Sequence, residues 1–143
     1  MDVDASYAVA PNFRFDHQFS LVKGYDRTRN TPLINMPPVK TVNGLVYQNP
    51  DANNLRMQLQ SQYVFRQNEY PDTNFEVYIP ESQTTETVDV STPPDAYHLL
   101  NFDSSIDLET GKRSTLTLGF GVTNLFNTSY RNYLNRLRYY ADD

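Results

Sequence analysis

His17 and His98 are the only two imidazoles in the chain, and there is no cysteine. A general base would have to be built on one of them. Neither lies beside a nucleophile motif, so no catalytic residue is assigned; a Ser–His site assembled in space stays open as an alternative. Asp103 and Asp107 are four residues apart. On a strand that spacing puts both carboxylates on one face, to hold a cation or to accept bonds from Arg56 or Arg66. Residues 68–96 hold seven acids (Glu69, Asp72, Glu76, Glu81, Glu86, Asp89, Asp95) and no Lys or Arg. Clustered carboxylates suit Ca²⁺, but the D-x-D-x-D-G spacing is missing and a solvated acidic loop is the simpler account. No metal ligand set and no cofactor is assigned. Asn127-Thr128-Ser129 has only the composition of a glycosylation acceptor.

Arg131, Arg136 and Arg138 fall among Tyr130, Tyr133, Tyr139 and Tyr140. Bidentate bonds and stacking from such a group fit an anionic or sugar-like ligand. The same residues also fit a loop that packs Tyr onto a rim and pairs Arg with acids. With Arg27 and Arg29 from an earlier loop, Arg131, Arg136, Arg138, Tyr139 and Tyr140 form the candidate substrate-binding set.

These groups need a scaffold, and residues 55–67 give the clearest one. Odd positions read Leu55, Met57, Leu59, Ser61, Tyr63, Phe65, Gln67; even positions read Arg56, Gln58, Gln60, Gln62, Val64, Arg66. A period of two over this length is a two-faced β-strand. Soluble strands centre on about five or six residues, so this one is long. Its polar face carries long amides and Arg, which suits a wall between lipid and a wet interior. Leu55, Met57, Leu59, Tyr63 and Phe65 are therefore expected to face lipid, and Arg56, Gln58, Gln60, Gln62 and Arg66 the lumen. Further strands are expected at 2–9, 13–25, 39–48, 97–108 and 115–124. In the last, Leu116, Leu118, Phe120 and Val122 face lipid; in 97–108, Asp103 and Asp107 face the lumen. His17 falls on the apolar face, where a neutral ring bonded to a polar neighbour would explain it. A hairpin of 75–79 with 87–90 is expected inside the acidic segment.

All nine prolines fall in the proposed connections, as the loss of a ladder hydrogen bond requires. Connections alternate short and long, so successive antiparallel strands put the short turns on one rim and the long loops, 26–38, 68–96 and 125–143, on the other. That is the layout of an outer-membrane barrel. Composition agrees: 143 residues, one domain's worth, are 38% hydrophobic yet include 11 Tyr and 8 Phe. A net charge of −5 argues against a nucleic-acid partner. No secretory signal pattern is visible at the start. Six strands fall short of the roughly eight of the smallest single-chain barrels, so residues 1–143 are expected to be part of a larger barrel, with the true N-terminus upstream.

One stretch is recognisable. Gly121-Val122-Thr123-Asn124-Leu125-Phe126-Asn127-Thr128-Ser129-Tyr130-Arg131, followed by Asn132 to Asp142, resembles the C-terminal region of TonB-dependent outer-membrane receptors, closest to the Bacteroidetes type. Thr31-Pro32-Leu33-Ile34-Asn35-Met36-Pro37-Pro38 and Pro94-Asp95-Ala96-Tyr97-His98-Leu99-Leu100 are similar to the family in the same order. The resemblance implies a barrel of about 22 strands with a plugged lumen. It implies import of a small scarce nutrient (iron chelate, cobalamin or oligosaccharide) energised through TonB, whose contact would lie in a missing N-terminal region. The plug and the last strands would also be absent. No ligand residue can be carried over.

The expectation is thus an all-β chain, an antiparallel up-and-down transmembrane β-barrel segment in the lipid of the bacterial outer membrane, and not an enzyme. A soluble secreted β-sandwich that binds ligand and an outer-membrane barrel enzyme are the alternatives.

Overall fold

The structure is a computed structural model and describes residues 1–111 and 113–135. Among these there are ten strands and no helix: β1 (Asp2–Ala10), β2 (Phe13–Ser20), β3 (Tyr25–Asp26), β4 (Thr31–Pro32), β5 (Lys40–Asn49), β6 (Leu55–Val64), β7 (Phe75–Ile79), β8 (Thr84–Val88), β9 (Tyr97–Gly111) and β10 (Ser114–Val122). The chain divides into two compact units. One comprises residues 1–20, 40–64 and 97–128; the other comprises 21–39, 65–96 and the described part of 129–143.

The first unit is one antiparallel sheet in the order β1-β2-β5-β6-β9-β10. Strands that neighbour one another along the sheet also follow one another in its order, the up-and-down arrangement expected. Register carries single rows of side chains across all six strands. Tyr7, Phe15, Leu45, Leu59, Phe102 and Val122 form one row. The adjacent row on the opposite face runs Ala8, Arg14, Val46, Gln58, Asp103 and Gly121. A one-residue slip at any pairing would exchange the two sets.

Burial is inverted relative to a soluble sheet. The buried residues of this unit, Val42, Gly44, Val46, Val64 and Leu99, belong to the face that carries the amides and charges. The apolar face is open: Tyr7 is 70% exposed, Leu59 41% and Phe120 63%. A sandwich would bury such a face against a second layer.

The hairpins are also staggered. Phe13, at the β1–β2 turn, stands opposite Tyr47; β5 runs two residues further, to the Asn49–Leu55 pair. Beyond the Arg56–Ser105 pair, β9 continues past Ile106 for five residues to the Gly111–Ser114 pair. Each turn is displaced along the strands from the one before, the shear that strand tilt imposes on a barrel wall.

Turn chemistry accounts for the chain reversals. Asn30, Asn35, Asn53, Asn54, Asn124 and Asn127 all have positive φ, which asparagine tolerates better than most residues. In the second unit, the strand expected over 13–25 ends instead at Ser20, and Tyr25–Asp26 pairs with Thr31–Pro32. Val22 breaks the alternation, and Pro32 sits at the end of a two-residue bridge, where its missing N–H costs little. Likewise β6 ends at Val64 rather than Gln67. The expected hairpin is present but pairs 75–79 with 84–88. Its turn closes at Gln83, which has φ of 55°, and the threonines after it supply strand residues that hydrophobic alternation does not flag.

Candidate functional site

The polar face of the first unit is a hydrogen-bonded surface rather than a set of isolated charges. Asp16 on β2 accepts from Ser6 Oγ at 2.6 Å and from Arg14 Nε at 2.9 Å. Arg56 donates to Gln58 Oε1 at 2.9 Å, and Asn101 Nδ2 to Gln60 Oε1 at 3.3 Å. Gly44 has no side chain, and its absence opens a depression of about 380 Å³ bordered by Ser6, Asp16, Gln18, Gln58 and Gln60. The lining offers amide donors and acceptors, one hydroxyl, His17 and the two carboxylates of Asp4 and Asp16, suited to a polar uncharged or cationic group.

Asp103 and Asp107 share this face with Gln58 and Gln60, but they do not bond to Arg56 or Arg66. Asp107 accepts from Thr117 Oγ1 at 2.7 Å and Asn54 Nδ2 at 3.0 Å. Arg66 lies beyond β6 in the second unit and pairs with Asp95 at 3.3 Å. Asp103 instead stands opposite Gly121, where an added Cβ would come within 3.0 Å of its Oδ1. Gln62 lies on the same face, opposite Val42 and Leu99. Leu55, Met57, Leu59 and Tyr63 occupy the apolar face; Leu116, Leu118, Phe120 and Val122 occupy it too, on β10. Phe65, like Arg66, falls past the end of β6.

Within the second unit, Arg27 and Arg29 lie in the turn between β3 and β4, with Arg29 4.0 Å from Asp26. A small cavity of about 140 Å³ is lined by Gly24, Met36, Arg66, Gln67 and the Lys23–Glu69 ion pair. Gln67 Nε2 donates to Met36 O at 2.8 Å there. Tyr133 is buried and Arg131 exposed. Arg136, Arg138, Tyr139 and Tyr140 lie outside the described residues. At the base of the β7–β8 hairpin, Asn74 Oδ1 accepts from Val90 N and Ser91 N, and Ser91 Oγ accepts from Thr73 N at 2.6 Å. Bonds from the Thr92 hydroxyl and N–H, with Ser91 N–H, hold the Asp89 carboxyl below its usual range. Asp72 and Asp89 thus serve the segment's own backbone, whereas Glu69 and Asp95 pair with Lys23 and Arg66. No group of three or more metal-ligating side chains is gathered among the described residues.

The apolar face holds a feature that spacing alone did not reveal. His17 Nδ1 lies 2.7 Å from Asn43 Oδ1, the polar neighbour expected for it. Two strands further on, Ser61 Oγ lies 2.8 Å from His98 Nε2. Ser61 and His98 are 37 residues apart, so only the β6–β9 register brings them together.

No family model matches the sequence, and no curated protein is similar to it. Among solved structures, the copper transporter OprC is similar, with a TM-score of 0.75 at 17% identity over 99% of this chain and 20% of that one. The likeness shows the fold. It is an up-and-down β-barrel segment of the outer-membrane kind, and the six-stranded sheet is not closed into a barrel. The chain spans about a fifth of the length of OprC.

Proposed function

We propose that the chain is part of the wall of an outer-membrane active transporter or receptor of the TonB-dependent, Bacteroidetes type, which takes up a scarce nutrient such as an iron chelate, cobalamin or an oligosaccharide. The inverted sheet carries this reading. An open face of Tyr7, Phe15, Leu45, Leu59 and Phe120 is stable where the surrounding medium is itself apolar. The opposite face, with its amides around Gly44, then lines a wet lumen. The likeness to OprC supports a transport role; its cargo is copper by name, and the cargo of this chain is a separate question.

The sheet's edges extend the reading. Among the described residues, β1 pairs only with β2 and β10 only with β9. Unpaired edge groups in hydrocarbon cost several kcal/mol each, so further strands continue the wall on both sides. The segments 26–38, 68–96 and 125–135 follow strand ends opposite the short turns, and on this reading they face the cell exterior and offer Arg27, Arg29 and Arg131 to the ligand. Energy arrives from the TonB complex through a region beyond this wall.

The test uses the intact protein in its own host. Washed outer membranes should contain it in a heat-modifiable, folded form. Deleting the gene should abolish growth on one limiting nutrient from a panel of iron chelates, cobalamin and oligosaccharides, and dissipating the proton-motive force should stop that uptake. Recovery in the soluble fraction would refute the proposal.

A further inference from the structure

The depression over Gly44 has a chemical polarity of its own. Its rim comes from β1, β2 and β6, with β5 between them. Val42 and Gly44, both buried, give it an apolar floor. Gly44 separates two kinds of wall. A Cβ added there would stand 3.8 Å from Asp16 Cβ on one side and 3.5 Å from Gln58 Nε2 on the other.

The β6 wall donates. Arg56 donates to Gln58 Oε1, and Asn101 Nδ2 donates to Gln60 Oε1. With both amide oxygens engaged, each side chain keeps its Nε2 hydrogens, which have no acceptor among the described residues. The β1–β2 wall accepts. Asp16 is already bonded by Ser6 Oγ and Arg14 Nε. Asp4 lines the same depression and has no partner among the described residues. No Lys or Arg lines it, and His17 Nδ1 is engaged by Asn43. The Asp4 carboxylate therefore stands there without a counter-charge.

This set selects among ligands. An anionic group would meet Asp4 and Asp16 with no cation to offset them, and like-charge juxtaposition rejects such partners. A neutral sugar ring suits the floor with its C–H face and the two amides with its hydroxyl oxygens, but it offers Asp4 only a hydroxyl. A sugar ring that carries an ammonium group answers all three, since a charge-assisted bond to a carboxylate is the stronger kind. The volume, about 380 Å³, falls in the usual range of small-molecule sites, roughly 300–1,000 Å³. It suits one or two sugar rings rather than a whole cobalamin.

We propose that this depression binds an amino-sugar unit of an oligosaccharide, with the ammonium group at Asp4 and hydroxyl oxygens on the Gln58 and Gln60 amides. This rests on the transport reading above and narrows its cargo to cationic glycans.

The experiment titrates the intact protein, purified in detergent, by calorimetry at mildly acidic pH, where the sugar amine is protonated. The probes are a glucosamine trimer, its N-acetylated form, a glucose trimer and a galacturonic acid trimer. The glucosamine trimer should bind about 3- to 10-fold more tightly than the two neutral trimers, as fits a charge-assisted contact in a part-exposed site. The galacturonic acid trimer should bind most weakly. Asp4→Asn should bring the glucosamine trimer to the level of the glucose trimer. Gln58→Leu should weaken the two by a similar factor, and Gly44→Phe should abolish binding of both. Heat-modifiable migration checks that each variant is folded. Equal affinity of the wild type for the glucosamine and glucose trimers, or a preference that survives Asp4→Asn, would overturn the inference. Binding that persists in Gly44→Phe would overturn the location. A folded protein that imports another nutrient and binds no glucosamine trimer would overturn this inference and leave the transport reading standing.

Discussion

Leu59 on β6 and Leu45 on β5 stand directly opposite each other, and the next pair along, Gln60 and Gly44, points to the other side of the sheet. Two consecutive residue pairs thus lie on opposite faces of the sheet, which the proposed function assigns to lipid and to lumen. The apolar pair is exposed, 41% and 44%, while Gly44 is buried. That reversal of the usual order gives each substitution below its direction.

Gly44 leaves room on the polar face. An alanine Cβ there would meet Gln58 Nε2 at 3.5 Å and Asp16 Cβ at 3.8 Å, which is ordinary contact. Gly44→Ala should therefore leave both assembly and uptake intact. Gly44→Phe should fill the depression beside Ser6 and Asp16 and slow uptake without loss of folded protein. Uptake assays on equal amounts of membrane-inserted variant would check this, and unchanged uptake in Gly44→Phe would remove the depression from the transport path.

Asp107 ties three pieces of the turn-side rim together, through Thr117 on β10 and Asn54 in the β5–β6 turn. Removing a charged acceptor of this kind costs about 1–3 kcal/mol, and partial exposure of the group favours the lower end. Asp107→Ala should lower the urea midpoint of the folded protein in bilayers accordingly. Faster amide exchange should be confined to β10 and the β5–β6 turn.

Asp89 gives the outer hairpin a pH dependence. Its carboxyl is held below its ordinary value of 3.8, first by the Thr92 hydroxyl and then by backbone N–H groups. A depressed carboxylate contributes stability that is present above the unfolded value and lost as pH falls through the folded one. Acidification from 3.8 downward should thus loosen the base of the β7–β8 hairpin, seen as faster exchange at the Ser91 and Thr92 amides. Asp89→Asn should show that faster exchange at neutral pH.

Much of the sheet is legible in residue order because each strand carries its own two-faced pattern. In β6 and β10 the alternation is nearly unbroken, and the turns around Asn53 and Asn54 advertise themselves. The short β3–β4 bridge is not legible, since two residues cannot display a period and Pro32 argues against a strand. The start of β8 hides for a different reason: Thr84, Thr85 and Thr87 favour strands through branching at Cβ, not through hydrophobicity. Charge complementarity points Asp107 to arginine, whereas register delivers Thr117 and Asn54. The Ser61–His98 contact depends on the β6–β9 register across a long connection, which no local spacing encodes.

The most direct test of the account compares Leu59→Arg with Gln60→Arg in the intact protein. These neighbours differ only in the face they occupy. An arginine on the lipid face near the middle of the bilayer costs about 2–4 kcal/mol, whereas one among the amides of the polar face keeps its hydration and its partners. The account predicts that Leu59→Arg is depleted from washed outer membranes and that Gln60→Arg accumulates like the wild type. Equal amounts of the two, or loss of Gln60→Arg alone, would contradict it.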